Sequence, residues 1–98
     1  MQVNEKLKDI LRGRTIEVVS KEEGLVKVLF NDRSTMELKI VGGATMNMLG
    51  EGRIESVEED GAEVVFFGEN DRRTVVRMAA PGSSIIVKDK DGVVEYTG

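Results

Sequence analysis

The seven arginines carry the most distinctive chemistry in this sequence. A guanidinium fork matches the paired oxygens of a phosphate or a carboxylate. Arg33 stands in the run Asp32-Arg33-Ser34-Thr35, and Arg72 and Arg73 stand in the similar run Asp71-Arg72-Arg73-Thr74. Arg53 and Arg77, with Arg12 and Arg14, fall near the ends of expected strands. The candidate binding residues are therefore Arg33, Arg72, Arg73, Arg53 and Arg77. Two such turns related by a two-fold would present a paired basic site. In the competing account Asp32 and Asp71 bond the local backbone and the arginines are simply solvated.

Other chemistry is narrowed by what is absent. The chain has no cysteine and no histidine. That removes disulfides, thiolate nucleophiles, Ser-His-Asp triads and imidazole metal ligation. Carboxylates, Lys, Tyr and Ser remain, and a small barrel enzyme using carboxylates is the weakest reading. No catalytic residue, metal site or cofactor is assigned, and the chain reads as not an enzyme. Asp89-x-Asp91-Gly92 opens like a calcium loop but lacks the glutamate that closes one, so it reads as a hairpin turn.

The 14 Lys and Arg residues against 18 Asp and Glu give a net charge of −4. That balance disfavours nucleic acid as a default partner, because phosphate attraction needs clustered cations. Val64-Val65-Phe66-Phe67 is among the longest apolar runs, far too short to span a bilayer. The N-terminal Met-Gln-Val-Asn-Glu-Lys lacks the basic and apolar regions of a secretory signal. A soluble, cytoplasmic protein is expected.

These residues must be held by a scaffold, and the sequence specifies one. It contains 14 Val and 6 Ile against 6 Leu, a balance that favours strands. Val3, Leu7, Ile10 and Leu11 recur with helical spacing, with Asn4 as cap and Gly13 as stop. Strands are then expected at Thr15–Ser20, Leu25–Phe30, Thr35–Val41, Arg53–Glu58, Ala62–Phe67, Thr74–Ala80, Ser84–Lys88 and Val93–Thr97, separated by Gly, Asn and Asp turns.

Two stretches resemble each other. Arg14-Thr15-Ile16-Glu17-Val18-Val19 matches Gly52-Arg53-Ile54-Glu55-Ser56-Val57. Each continues through acidic residues to a glycine, a Val-rich strand ending in Phe30 or Phe67, and an Asp-Arg run. Each reads as a three-stranded meander, which cannot bury its apolar face alone. The segment Gly42 to Gly50 between them reads as a crossover, with Met46 and Met48 as core gap-fillers. The expected fold is mainly β: a short N-terminal helix followed by about eight antiparallel strands in a small barrel or two SH3-like repeats. It forms a single domain over 1–98, with internal repeats at 14–43 and 52–82 and a C-terminal hairpin at 84–97.

The run Gly50-Glu51-Gly52-Arg53-Ile54-Glu55-Ser56-Val57, followed by Glu58-Glu59-Asp60-Gly61 and Ala62-Glu63-Val64-Val65-Phe66, resembles a Tudor-like, SH3-like barrel. The C-terminal module of DNA-repair helicases has this outline, and the likeness covers roughly Gly50 to Pro81. It implies a non-catalytic module that docks on protein or nucleic-acid machinery. The sequence departs from that module at its third strand, where Thr74-Val75-Val76-Arg77-Met78 replaces the usual basic and aromatic residues. With only Phe30, Phe66, Phe67 and Tyr96 as aromatics, a methyl-lysine cage is not expected. A short hydrogenase-maturation chaperone family shares the strand-turn-strand outline, but the N-terminal cysteine it needs is missing.

Val18-Val19, Val64-Val65-Phe66-Phe67, Val75-Val76 and Ile85-Ile86-Val87 break the alternation of a half-buried strand. The second apolar face must meet another sheet, the helix or a second subunit, and a homodimer is the preferred expectation. The functional expectation is an interaction module that binds a protein partner, within a nucleic-acid-processing assembly. Direct RNA or DNA binding through the arginine-bearing turns is the alternative.

Overall fold

The computed structural model describes residues 2–41, 52–69, 73–80 and 82–98. Gly42–Gly50, Met46 and Met48 among them, lies outside the described residues, as do Glu51, Asn70, Asp71, Arg72 and Pro81. The chain begins with β1 (Gln2–Val3) and α1 (Glu5–Leu11). Val3, expected on the helix, belongs instead to a strand pair with Glu58. The reason lies in Asn4. Its backbone N–H donates to the Val57 carbonyl at 3.0 Å, while its side-chain oxygen accepts the Leu7 N–H at 3.0 Å. One residue thus ends the strand and caps the helix. The apolar face of α1 is then Leu7, Leu11 and part-buried Ile10.

Eight further strands follow: β2 (Thr15–Glu22), β3 (Leu25–Phe30), β4 (Thr35–Lys39), β5 (Gly52–Asp60), β6 (Glu63–Gly68), β7 (Arg73–Arg77), β8 (Ile85–Lys88) and β9 (Val94–Thr97). These are the eight strands expected, with shifted ends. All described pairings are antiparallel, in the order β7-β6-β5-β2-β3-β4-β8-β9, with β1 beside β5. The sheet curls but is not closed into a barrel. One isolated bridge, Ile40 opposite Met78, joins the chain just past β4 to the chain just past β7. There the Val41 N–H donates to the Arg77 carbonyl at 3.0 Å and the Ala79 N–H to the Lys39 carbonyl at 2.9 Å. The strand expected to reach Val41 therefore ends at Lys39.

Two three-stranded meanders, β2-β3-β4 and β5-β6-β7, make up most of the sheet. Displaced by 38 residues, one takes the register of the other. Val19 faces Val28 as Val57 faces Phe66, and Val28 faces Met36 as Phe66 faces Thr74. A register shift falls between Ile16 and Val18 in the first and between Ile54 and Ser56 in the second. The contacts between the meanders obey the same relation: Thr15 lies opposite Arg53 and Ile40 opposite Met78. An approximate two-fold therefore passes through both contacts. Gly24 (φ 74°) and Gly61 (φ 59°) supply the left-handed residue in the matching first turns, at the second and first turn position respectively.

A single core fills the space between sheet and helix. Leu7, Leu11, Val26, Phe30, Ile54 and Phe66 are among its fully buried members. Most of the doubled apolar runs are absorbed internally: Val64, Val65, Phe66, Val76, Ile85 and Val87 are all buried. Val65 is buried on the side away from the core cluster. Val18 and Val75 are not absorbed, and stand 48% and 40% exposed.

Candidate functional site

The described candidate arginines occupy three kinds of place, and the second of the two arginine-bearing turns, at Asp71 and Arg72, lies outside the described residues. Arg33 sits in the turn between β3 and β4 with φ 72°, a left-handed conformation costly for a side chain of this kind. Its turn is built by Asp32, whose carboxylate accepts the Ser34 N–H at 2.9 Å and the Ser34 hydroxyl. The Ser34 hydroxyl is the main cause that holds the Asp32 carboxyl below its ordinary range; partial burial opposes it, and the Ser34 amide and the Arg14 guanidinium assist. Arg53 is half-consumed by an exposed ion pair, its Nε 3.0 Å from Glu69 Oε1. Arg72 lies outside the described residues. Arg73 and Arg77 open and close β7, and both are exposed.

Arg14 has a structural role that its sequence position did not reveal. Its side chain is only 17% exposed. Its Nη2 donates to both Glu95 carboxylate oxygens, at 3.0 and 2.9 Å, its Nε lies 3.8 Å from Asp32 Oδ2, and its guanidinium carbon lies 6.0 Å from the Phe30 ring centre. Its Nη1 is buried without a partner. Asn4 makes a parallel tie, donating to Glu59 and to the Tyr96 hydroxyl at 2.9 Å each. Together these fasten β9 to α1, β1 and the start of β2. Neither tie is legible in sequence, because the partners lie 81 and 92 positions apart.

β7 has a different character. It stands at the end of the strand order. The Met78 N–H donates to the Ala62 carbonyl at 2.7 Å, which fixes the ladder's phase. By alternation, Val76 and Thr74 direct their main-chain groups toward β6, whereas Arg73, Val75 and Arg77 direct theirs away from it. The Val41 N–H bonded to the Arg77 carbonyl agrees with this phase. Side chains alternate too: Thr74 and Val76 are buried, and Arg73, Val75 and Arg77 are exposed. Among the described residues neither Arg73 nor Arg77 makes an ion pair within 4.0 Å. Among the described residues the outward main-chain groups of Arg73 and Val75 have no partner, whereas the outward carbonyl of Arg77 is taken by Val41. The sequence obscured that period-two pattern, because the adjacent Val75 and Val76 read there as a break in alternation.

Comparison with protein-family models, with curated proteins and with solved structures finds no match. The site rests on geometry alone. A second surface feature lies on the outer face of β2-β3-β4, where a recess of about 230 Å³ is lined by Val18, Leu29, Ser20, Lys27, Thr35 and Glu37. Val18 and Leu29 face each other there, 48% and 36% exposed. Among the described residues, no group of three or more acidic side chains is placed to hold a metal, and no helix is long and apolar enough to cross a membrane.

Proposed function

We propose that this chain is a non-enzymatic interaction module that binds an extended segment of a protein partner along the edge of β7. The observation that carries the reading is the phase of that edge: main-chain groups of Arg73 and Val75 turned outward, with Arg73, Val75 and Arg77 exposed. A sheet edge of this kind binds polypeptide by adding a strand, with main-chain hydrogen bonds giving affinity and alternate side chains giving selectivity. The resemblance of 50–81 to Tudor-like, SH3-like modules supports the same class of function, including a place in a nucleic-acid-processing assembly held by protein contacts. The arginines give less support to direct RNA or DNA binding, because Arg53 is paired with Glu69 and the net charge is −4.

The test is selection of a displayed library of random linear peptides against the full chain, followed by amide chemical-shift mapping of the bound complex. Peptides whose shifts cluster on β7 and whose binding is lost in Val75→Pro support the reading. That proline removes an N–H the β6–β7 ladder does not use, so the strand is retained. Failure to recover any peptide, or binding indifferent to Val75→Pro and to changes at Arg73 and Arg77, overturns it.

A further inference from the structure

We propose that Asp60 is a site of spontaneous covalent rearrangement to isoaspartate, and that the chemically similar Asp91 is protected from it. The proposal is independent of the docking reading above. Aspartate followed by glycine is the step most open to this change, because no side chain shields the next main-chain nitrogen. The chain contains two such steps, Asp60-Gly61 and Asp91-Gly92. In the first stage the Gly61 nitrogen bonds to Asp60 Cγ, and the carboxyl OH leaves with the Gly61 proton as water. A cyclic imide results. Water then adds to one of its two ring carbonyls. Addition at Cγ restores aspartate. Addition at the main-chain carbon routes the chain through Cβ and Cγ and frees the former main-chain carbonyl as a carboxylate. No oxidant or reductant takes part, and the final mass of the chain is unchanged.

The two turns differ in what holds the attacking nitrogen. Asp60 is exposed at the end of β5, and Gly61 and Ala62 form the two-residue turn into β6. Among the described residues the Gly61 N–H meets no main-chain acceptor, and the Asp60 carboxylate is in no ion pair. A Cβ placed on Gly61 meets nothing within 4 Å. Cyclisation needs Asp60 to rotate about its Cα–C bond, which loosens only the last pair of the ladder, Asp60 with Glu63. Gly92 is held differently. Its N–H donates to the Asp89 carbonyl at 3.0 Å, and Asp89 Oδ1 accepts the Asp91 and Val93 N–H groups at 2.9 Å each. The nitrogen that must attack Asp91 is thus already committed as a donor, and the same rotation must pull Gly92 and Val93 away from Asp89. Rearrangement at Asp60 inserts one methylene into the main chain at a turn whose length sets the β5–β6 register. The next carbonyl but one, that of Ala62, receives the Met78 N–H at 2.7 Å, so the change reaches the end of the β6–β7 ladder as well.

The test ages the full chain at body temperature in mildly acidic buffer, one sample folded and one in concentrated guanidinium chloride. Both are then digested with an endoproteinase that cuts before aspartate and not before isoaspartate. Mass spectrometry of the uncut peptides measures the rearranged fraction at each step. In the folded chain isoaspartate is expected to form at Asp60 at least about fivefold faster than at Asp91, the effect on a rate of keeping one hydrogen bond. In the denatured chain the two steps should rearrange at similar rates. Asp60→Glu should remove the first signal and leave the second in place. Absence of isoaspartate at Asp60 in the folded chain overturns the proposal. So does a folded-state ratio no greater than the denatured one, which would trace any difference to local sequence and not to the two turns.

Discussion

Single residues in the β3–β4 turn carry opposing strains. Asp32 favours the turn and Arg33 opposes it with φ 72°. Arg33→Gly is expected to leave the melting temperature unchanged or raise it slightly, because relief of the left-handed penalty offsets the added chain entropy. Asp32→Asn should cost about 0.5–1 kcal/mol at neutral pH, the worth of one exposed hydrogen-bonded carboxylate. The pH dependence has a definite sign. The carboxyl is held below its ordinary value in the folded chain. Its contribution is therefore complete above that ordinary value and is lost as pH falls through the folded one. Denaturation of wild type and Asp32→Asn, measured between pH 7 and the acid limit, should converge at the acid end. Arg14 and Glu95 form the costliest pair to break singly. Glu95→Met should destabilise by about 2 kcal/mol by stranding a mostly buried guanidinium, and the double change Arg14→Met/Glu95→Met should cost less than the single one. A double-mutant cycle by chemical denaturation measures both.

At the scale of elements, α1 depends on one side chain for its start and for its anchorage. Asn4 caps the helix with its oxygen and ties Glu59 to Tyr96 with its nitrogen. Asn4→Asp keeps the cap but replaces the donor that faces the Glu59 carboxylate with a carboxylate oxygen that repels it. A loss of about 1–2 kcal/mol is expected at neutral pH, shrinking as the medium is acidified, although aspartate is an equally good cap on an open surface. The sequence made the helix and all eight expected strands legible, because turn residues and β-branched runs are local signals. It concealed β1, because a two-residue strand has no period of its own. It also concealed the site. Arg33, Arg53, Arg72, Arg73 and Arg77 looked alike as cations. Only the ladder phase separates Arg73 and Arg77, on an edge, from Arg53, beside Glu69.

For the whole molecule, the expected homodimer loses most of its motive. The argument for it was that doubled apolar runs needed a second layer. The core takes up Val64, Phe66, Val76, Ile85 and Val87, and Val65 is buried as well. Light scattering after gel filtration is expected to give a mass near 10.8 kDa at micromolar concentration. The fold class was readable because two meanders of one register imply one shared core. The open seam was not, since closure depends on sheet curl, which no residue pattern records.

The ties between Asn4 and Tyr96 and between Arg14 and Glu95 also set a tempo. A seven-residue helix does not persist in water by itself. This one is secured through partners 92 and 81 positions away, so each tie closes nearly the longest loop the chain can make. Refolding belongs to the millisecond-to-second regime of non-local β topologies.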